Sequence, residues 1–243
     1  MRIAIVVGHN RQAQGAVRVT DRVSEYVWNG DLATRIEKLD SGSVKVFYRT
    51  PGAGEISRVY REVAAWKADC AVELHFNAFR TAGAHGCETL HGTSSASKQL
   101  AQHLQREMLL ALGNRNRGIV RRASGRGSTA VNQRAQPTAL IEPYFGSNPS
   151  ECVLAAEYKD ALAQAILNGA REFLGHGPVA VVDEEGPLAH TEMQRLLDAY
   201  EEIGDLIAST LATGYSTDLP EDVARMRWRL AEIFQMVAKG EEL

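Results

Sequence analysis

The chain has 243 residues, 44% hydrophobic and 23% charged, enough to bury one sizeable core and carry an appendage. No apolar run approaches the roughly 18 to 20 residues that cross a bilayer, and the N-terminus reads as a strand rather than a charged leader, so we expect no membrane span and a cytoplasmic protein. The net charge of −3 is divided, with 14 acidic and 5 basic side chains in residues 183–243 and a net +6 on residues 1–182; Cys70, Cys87 and Cys152 form no close pair and no CxxC, which excludes a disulfide framework and a thiolate metal site and leaves three buried hydrophobes.

The first predicted strand, near 2–7, ends in Gly8-His9. A helix near 23–39 carries Glu25 in its first turn, and a strand near 44–48 and a helix near 55–67 follow. The strand near 70–75 contains Glu73 and closes on a second histidine, His75. Next come a strand near 87–91 and a helix near 96–112. Residues 113–137, rich in Gly, Arg and Ser with little periodicity, read as a long functional loop. A strand near 138–142 ends in Glu142, and Leu154, Tyr158, Leu162, Ile166, Ala170 and Phe173 mark the packed face of one helix over 150–174. This alternation predicts an α/β domain over 1–175, an open, mostly parallel twisted sheet with helices on both faces. Residues 176–188 have linker composition, and two amphipathic stripes joined at Asp218-Leu219-Pro220-Glu221 predict an acidic α-helical hairpin over 189–243. Two such helices cannot bury both stripes alone, so we expect them to pack on the first domain or on a second copy, as a homo-oligomer.

Neighbouring strand ends in such a sheet converge on one crevice, so two imidazoles that each close a strand point to a metal. A hydrolytic zinc site uses three protein ligands and keeps one position open. His9, Glu25 and His75 meet that description, while His85 and His91 flank another short strand and compete for the role. His103, His176 and His190 fall in helical or linker contexts and are expected at the surface. Glu142 follows four apolar or small residues and precedes Pro143-Tyr144-Phe145, which predicts burial in the crevice, where a carboxylate can take a proton from activated water. Its other reading is an arginine partner or turn cap. Glu73 shares a strand face with His75 and either orients that imidazole or pairs with an arginine. Arg115, Arg117, Arg121, Arg122, Arg126 and Arg134 form a basic cluster, a solvated face or a site for an anionic polymer; no nucleic-acid motif accompanies it, and no nucleic-acid partner is expected.

The ordered set of Val7-Gly8-His9, Glu25, Tyr48-Arg49-Thr50, Leu74-His75-Phe76-Asn77-Ala78, Gly86-Cys87-Glu88-Thr89, Asn116-Arg117-Gly118, Ile141-Glu142-Pro143-Tyr144-Phe145 and Ser147-Asn148 resembles the zinc-dependent N-acetylmuramoyl-L-alanine amidases of the type 3 family. The resemblance covers nearly all of residues 1–174 and implies one Zn2+ held by His9, Glu25 and His75, with Glu142 as the acid/base. It implies peptidoglycan as substrate, cut between N-acetylmuramic acid and L-alanine. Asn77, Arg122 and Arg126 are then candidate substrate-binding residues, the arginines meeting stem-peptide carboxylates. Asn10 stands where the family more often has glycine, and Glu73 where it more often has serine. The missing leader makes the chain similar to a phage or prophage endolysin, cytoplasmic until released to the wall. The ion and base do not name the bond, so a zinc peptidase acting within the stem is the nearest alternative. A non-catalytic wall-binding or tail-assembly protein is the alternative from another class.

Overall fold

A computed structural model describes residues 1–178; the linker beyond Pro178 and the predicted hairpin over 189–243 lie outside the described residues. Strands β1 (Ile3–Val7), β2 (Val44–Tyr48), β3 (Cys70–Leu74), β4 (Cys87–His91), β5 (Asn116–Arg121) and β6 (Thr138–Glu142) form one sheet in the order β2-β1-β3-β6-β4-β5. β2, β1, β3 and β6 run parallel, whereas β4 is antiparallel to β6 and parallel to β5. The sheet is therefore mixed but mostly parallel, with helices on both faces. β1, β3, β4 and β6 are buried along their whole length; β1 is apolar throughout, whereas β3, β4 and β6 carry the buried carboxylates Glu73, Glu88 and Glu142.

Alternate residues sort into two cores. Ile3, Ile5, Val7, Val72, Leu74 and Ile141 face helices α1 (Glu25–Leu39), α3 (Ser95–Leu112) and α6 (Lys159–Phe173). Ala4, Val6, Ala71 and Leu140 face α2 (Glu55–Ala65) and α4 (Ser128–Val131). Ser24 caps α1 by accepting from Val27 N at 3.3 Å, so that helix starts two residues later than its apolar pattern suggests. The segment predicted as one helix over 150–174 is two, α5 (Pro149–Glu157) and α6, broken at Tyr158; a one-residue break keeps the stripe in phase, so periodicity did not reveal it.

The stretch 113–137 is not a loop throughout, since it supplies β5 and α4. β5 is an edge strand with no buried residue, and its register against β4 shifts between Cys87 and Glu88, so it lacks an apolar alternation to read. All three cysteines are free and buried. Among the described residues no helix is long and apolar enough to cross a membrane.

Candidate metal centre

Sheet register assembles the site. Val7 pairs with Leu74, and Leu74 with Ile141, so the residues that follow, Gly8-His9, His75 and Glu142, emerge side by side at one sheet edge. Pairing of β3 and β6 continues beyond the strands through Asn77 N to Tyr144 O at 2.8 Å and Gly146 N to Asn77 O at 2.8 Å, which sets Asn77 beside Glu142. Because β4 runs the other way, its first half meets the same edge, with Glu88 opposite Glu142, while His91 lies opposite Ala139 at the far end. Topology thus removes His91 from the site; its Nδ1 lies 2.7 Å from Gly92 O. His85 is exposed, with Nδ1 2.8 Å from Gly83 O, and is not brought to the cluster either. His103 is half-buried beside Glu172 and His176 is exposed, while His190 lies outside the described residues.

His9, Glu25 and His75 offer ligand atoms that all lie within 4.8 Å of one another. Glu25, 1% exposed, bridges the two rings: His75 Nδ1 lies 2.7 Å from Oε1, and His9 Nε2 lies 3.1 Å from Oε2. Backbone N–H groups of Phe76 and Ala16 donate to the same two oxygens at 3.2 and 3.1 Å. His9 Nε2 is buried yet misaligned for a hydrogen bond, leaving it without a partner. Two imidazole nitrogens and a carboxylate oxygen, one nitrogen orphaned in the pocket, fit a divalent metal cation.

The cradle is shaped by glycine. A Cβ at Gly8 would stand 2.5 Å from His75 Nε2, and one at Gly15, where φ is +79°, would stand 2.6 Å from Glu25 Oε2 and 2.7 Å from His9 Nε2. Gly15 belongs to the connection between β1 and α1, which Arg18 fastens from inside the protein. That guanidinium, 1% exposed, donates to Tyr144 Oη at 3.0 Å and Cys152 O at 2.8 Å, pairs with Asp21, and lies over the Trp28 and Tyr144 rings.

Burial raises the cost of charging Glu25, but the two imidazoles outweigh it and hold the carboxyl well below its usual range. Burial likewise opposes a charge on His75, yet carboxylates on both ring nitrogens push it up to about 9. Glu142 behaves oppositely. Burial pushes it up to about 7, and the neighbouring Glu88 carboxyl adds to the rise against the pull of His75 and Arg126. Asn77 Nδ2 donates to both acids, to Glu142 Oε2 at 2.9 Å and Glu88 Oε1 at 3.0 Å, and Arg126 Nη2 reaches Glu142 Oε1 at 3.4 Å. Arg117 pairs with Glu88 Oε2 at 3.0 Å and lies over the Phe145 ring. Arg122 is not tied to this group: its backbone N–H donates to His91 O, and its Nε is buried without a partner.

Gly15, Arg18, Glu88 and Glu151 carry no individual signal in the sequence, and Arg117 reads there only as one of a basic cluster. Glu88 and Arg117 sat within quoted motifs but took their meaning only from the antiparallel turn of β4. Glu151 accepts from Gly86 N at 2.6 Å, Phe145 N at 2.7 Å and Asn114 Nδ2 at 3.1 Å, pinning the wall behind Glu142.

The family model for N-acetylmuramoyl-L-alanine amidase matches residues 3–172. N-acetylmuramoyl-L-alanine amidase LytC of Bacillus subtilis (strain 168) is 31% identical over 175 residues, 69% of this chain, and the chain spans only 34% of that relative's length. The catalytic domain of CwlV, an N-acetylmuramoyl-L-alanine amidase from Bacillus (Paenibacillus) polymyxa var. colistinus, shares the fold at 24% identity and a TM-score of 0.62, covering 72% of this chain and 99% of that one. The catalytic domain of the CD27L endolysin targeting Clostridia difficile does so at 24% identity and a TM-score of 0.60, covering 73% and 98%.

Proposed function

The chain belongs to the N-acetylmuramoyl-L-alanine amidase family, and on that premise we propose that it hydrolyses the amide joining the lactyl carbonyl of N-acetylmuramic acid to the nitrogen of L-alanine in peptidoglycan. The observation that carries this reading is the convergence of His9, Glu25 and His75 beside a buried Glu142. We assign one zinc ion to the three ligands; it would polarise the scissile carbonyl and make water acidic enough to ionise near neutral pH. Glu142, with a proton affinity matched to neutral solution, takes the proton of the attacking water and returns it to the departing L-alanine nitrogen. Asn77 holds Glu142 Oε2, so the free face of the carboxylate is set by the amide rather than by solvent. Arg126, exposed at the rim beside Glu142, is positioned to meet a stem-peptide carboxylate. The fold shared with the catalytic domain of an endolysin supports a wall-lytic setting.

Identification of the new ends in a digest of purified peptidoglycan tests the bond. A free lactyl carboxylate on muramic acid together with a free L-alanine amine is the expected result. New amines only within the stem would replace this reading by a peptidase, and an intact wall in the presence of zinc would replace it by a binding role.

A further inference from the structure

Glu73 is a carboxylate with no exposure at all, on the sheet face covered by α2, in a layer otherwise built from Val6, Phe47, Val59, Tyr60 and Val63. Three contacts define it. Arg49 Nη2 pairs with Oε1, Tyr60 Oη donates to Oε2 at 2.7 Å, and His75 Nε2 lies 2.9 Å from Oε1. Arg49 also reaches Glu55 Oε1 at 3.6 Å, and Glu55 Oε2 accepts from Asn10 Nδ2. A continuous polar chain therefore runs from Asn10, one residue beyond the ligand His9, through Glu55, Arg49 and Glu73 to His75.

A buried ion pair of this kind is seldom needed for folding, because apolar residues of equal volume generally serve a fold as well or better. What the pair does supply is direction. The two nitrogens of the His75 ring face different carboxylates, Nδ1 toward Glu25 in the cluster and Nε2 toward Glu73 on the opposite side, so Glu73 cannot share an ion with Glu25. We propose that Glu73, charged and aimed by Arg49 and Tyr60, is a positioning residue for the metal: it keeps the proton of His75 on Nε2 and turns the Nδ1 lone pair into the cluster. The close packing of Gly8 on the same ring edge fixes the ring plane. An imidazole whose far N–H is given to a carboxylate is both oriented and made a stronger donor, and loss of such partners lowers metal affinity by roughly 10- to 100-fold in comparable sites.

The inference rests on the metallo-amidase reading, and zinc binding by the full chain separates the two. Affinity for Zn2+ alone is measured by chelator competition for the parent, for Glu73→Gln, and for the paired replacement Glu73→Leu with Arg49→Met, which removes both buried charges together. The paired variant, which leaves the buried Tyr60 hydroxyl without its acceptor, is expected to fold with a lowered melting temperature in the metal-free state and to bind Zn2+ about 10- to 100-fold more weakly. Glu73→Gln, which retains an acceptor oxygen, is expected to fall between. In the zinc-loaded parent, long-range proton–nitrogen correlation is expected to place the His75 proton on Nε2 and the metal-shifted resonance on Nδ1. Zn2+ affinity of either folded variant within about twofold of the parent's, or metal on Nε2, would overturn the assignment of Glu73 and leave the amidase reading standing. A parent that binds no Zn2+ would overturn both.

Discussion

The crevice has two unlike walls. On one side β1, β3 and the connection carrying Gly15 hold Glu25, whose oxygens take two backbone N–H donors and face two imidazoles. On the other, β4, β5 and residues near Arg126 surround Glu142, which faces another carboxyl, a single amide donor and an exposed guanidinium. Glu25 and Glu142 are almost equally buried, 1% and 4% exposed, yet one is pushed down and the other up to about 7. Burial alone therefore does not decide ionisation; the neighbours do. Two acids driven apart in this way can divide the work, one as a permanent anion for a cation and one as a proton carrier.

The ligand wall is broken most completely by His75→Ala, which is expected to take zinc content to background and turnover with it, read by metal analysis and wall-clearing rate. Next comes the base. Glu142→Gln should keep zinc and lose turnover by about 10²- to 10⁴-fold, the usual contribution of a positioned acid/base. If the carboxylate is the working form, the parent's rate should climb as pH rises through about 7, and a rate independent of pH there would detach Glu142 from the chemistry.

Gly15→Ala sharpens the comparison from the ligand side. Its methyl group would press on Glu25 Oε2 and His9 Nε2, and its positive φ adds about 1 kcal/mol or more of strain, so zinc affinity should fall roughly tenfold or more while the Glu142 wall is untouched. The smallest effect is on stability. A carboxyl raised from 4.5 to about 7 binds more protons folded than unfolded between those values, so its contribution to stability declines as pH rises across that window. Glu142→Gln should therefore make the metal-free protein more stable than the parent at pH 8, by about 3 kcal/mol, with the difference vanishing below about pH 4.5 in denaturant titrations.

The two walls also differ in how readily they are read from sequence. β1, β3 and β6 are central strands whose buried runs stop at Gly8, His75 and Glu142, so the position of the site follows from where hydrophobicity ends. Glu25 follows from its place in the first turn of the helix after β1, although the Ser24 cap that sets that start does not show in the apolar pattern. The other wall depends on the reversed direction of β4 and on an edge strand with no buried residue, and neither leaves a periodic trace, so Glu88 read only as a motif member and Arg117 as one of a basic cluster. Glu73 illustrates a different limit. Orienting the imidazole and pairing with an arginine look like rival readings along the chain, whereas in space Arg49 and His75 meet the same carboxylate oxygen.

Arg18 adds a constraint of timing. The connection that closes the metal cradle is bolted to Tyr144 and Cys152, partners 126 and 134 residues further along. A ribosome delivers these groups only after nearly all of the domain has been made. Nascent or prematurely ended chains, although they already contain all three ligands, therefore lack the bolt that gives the pocket its shape, and the capacity to hold an ion arrives late, as a property of the finished domain.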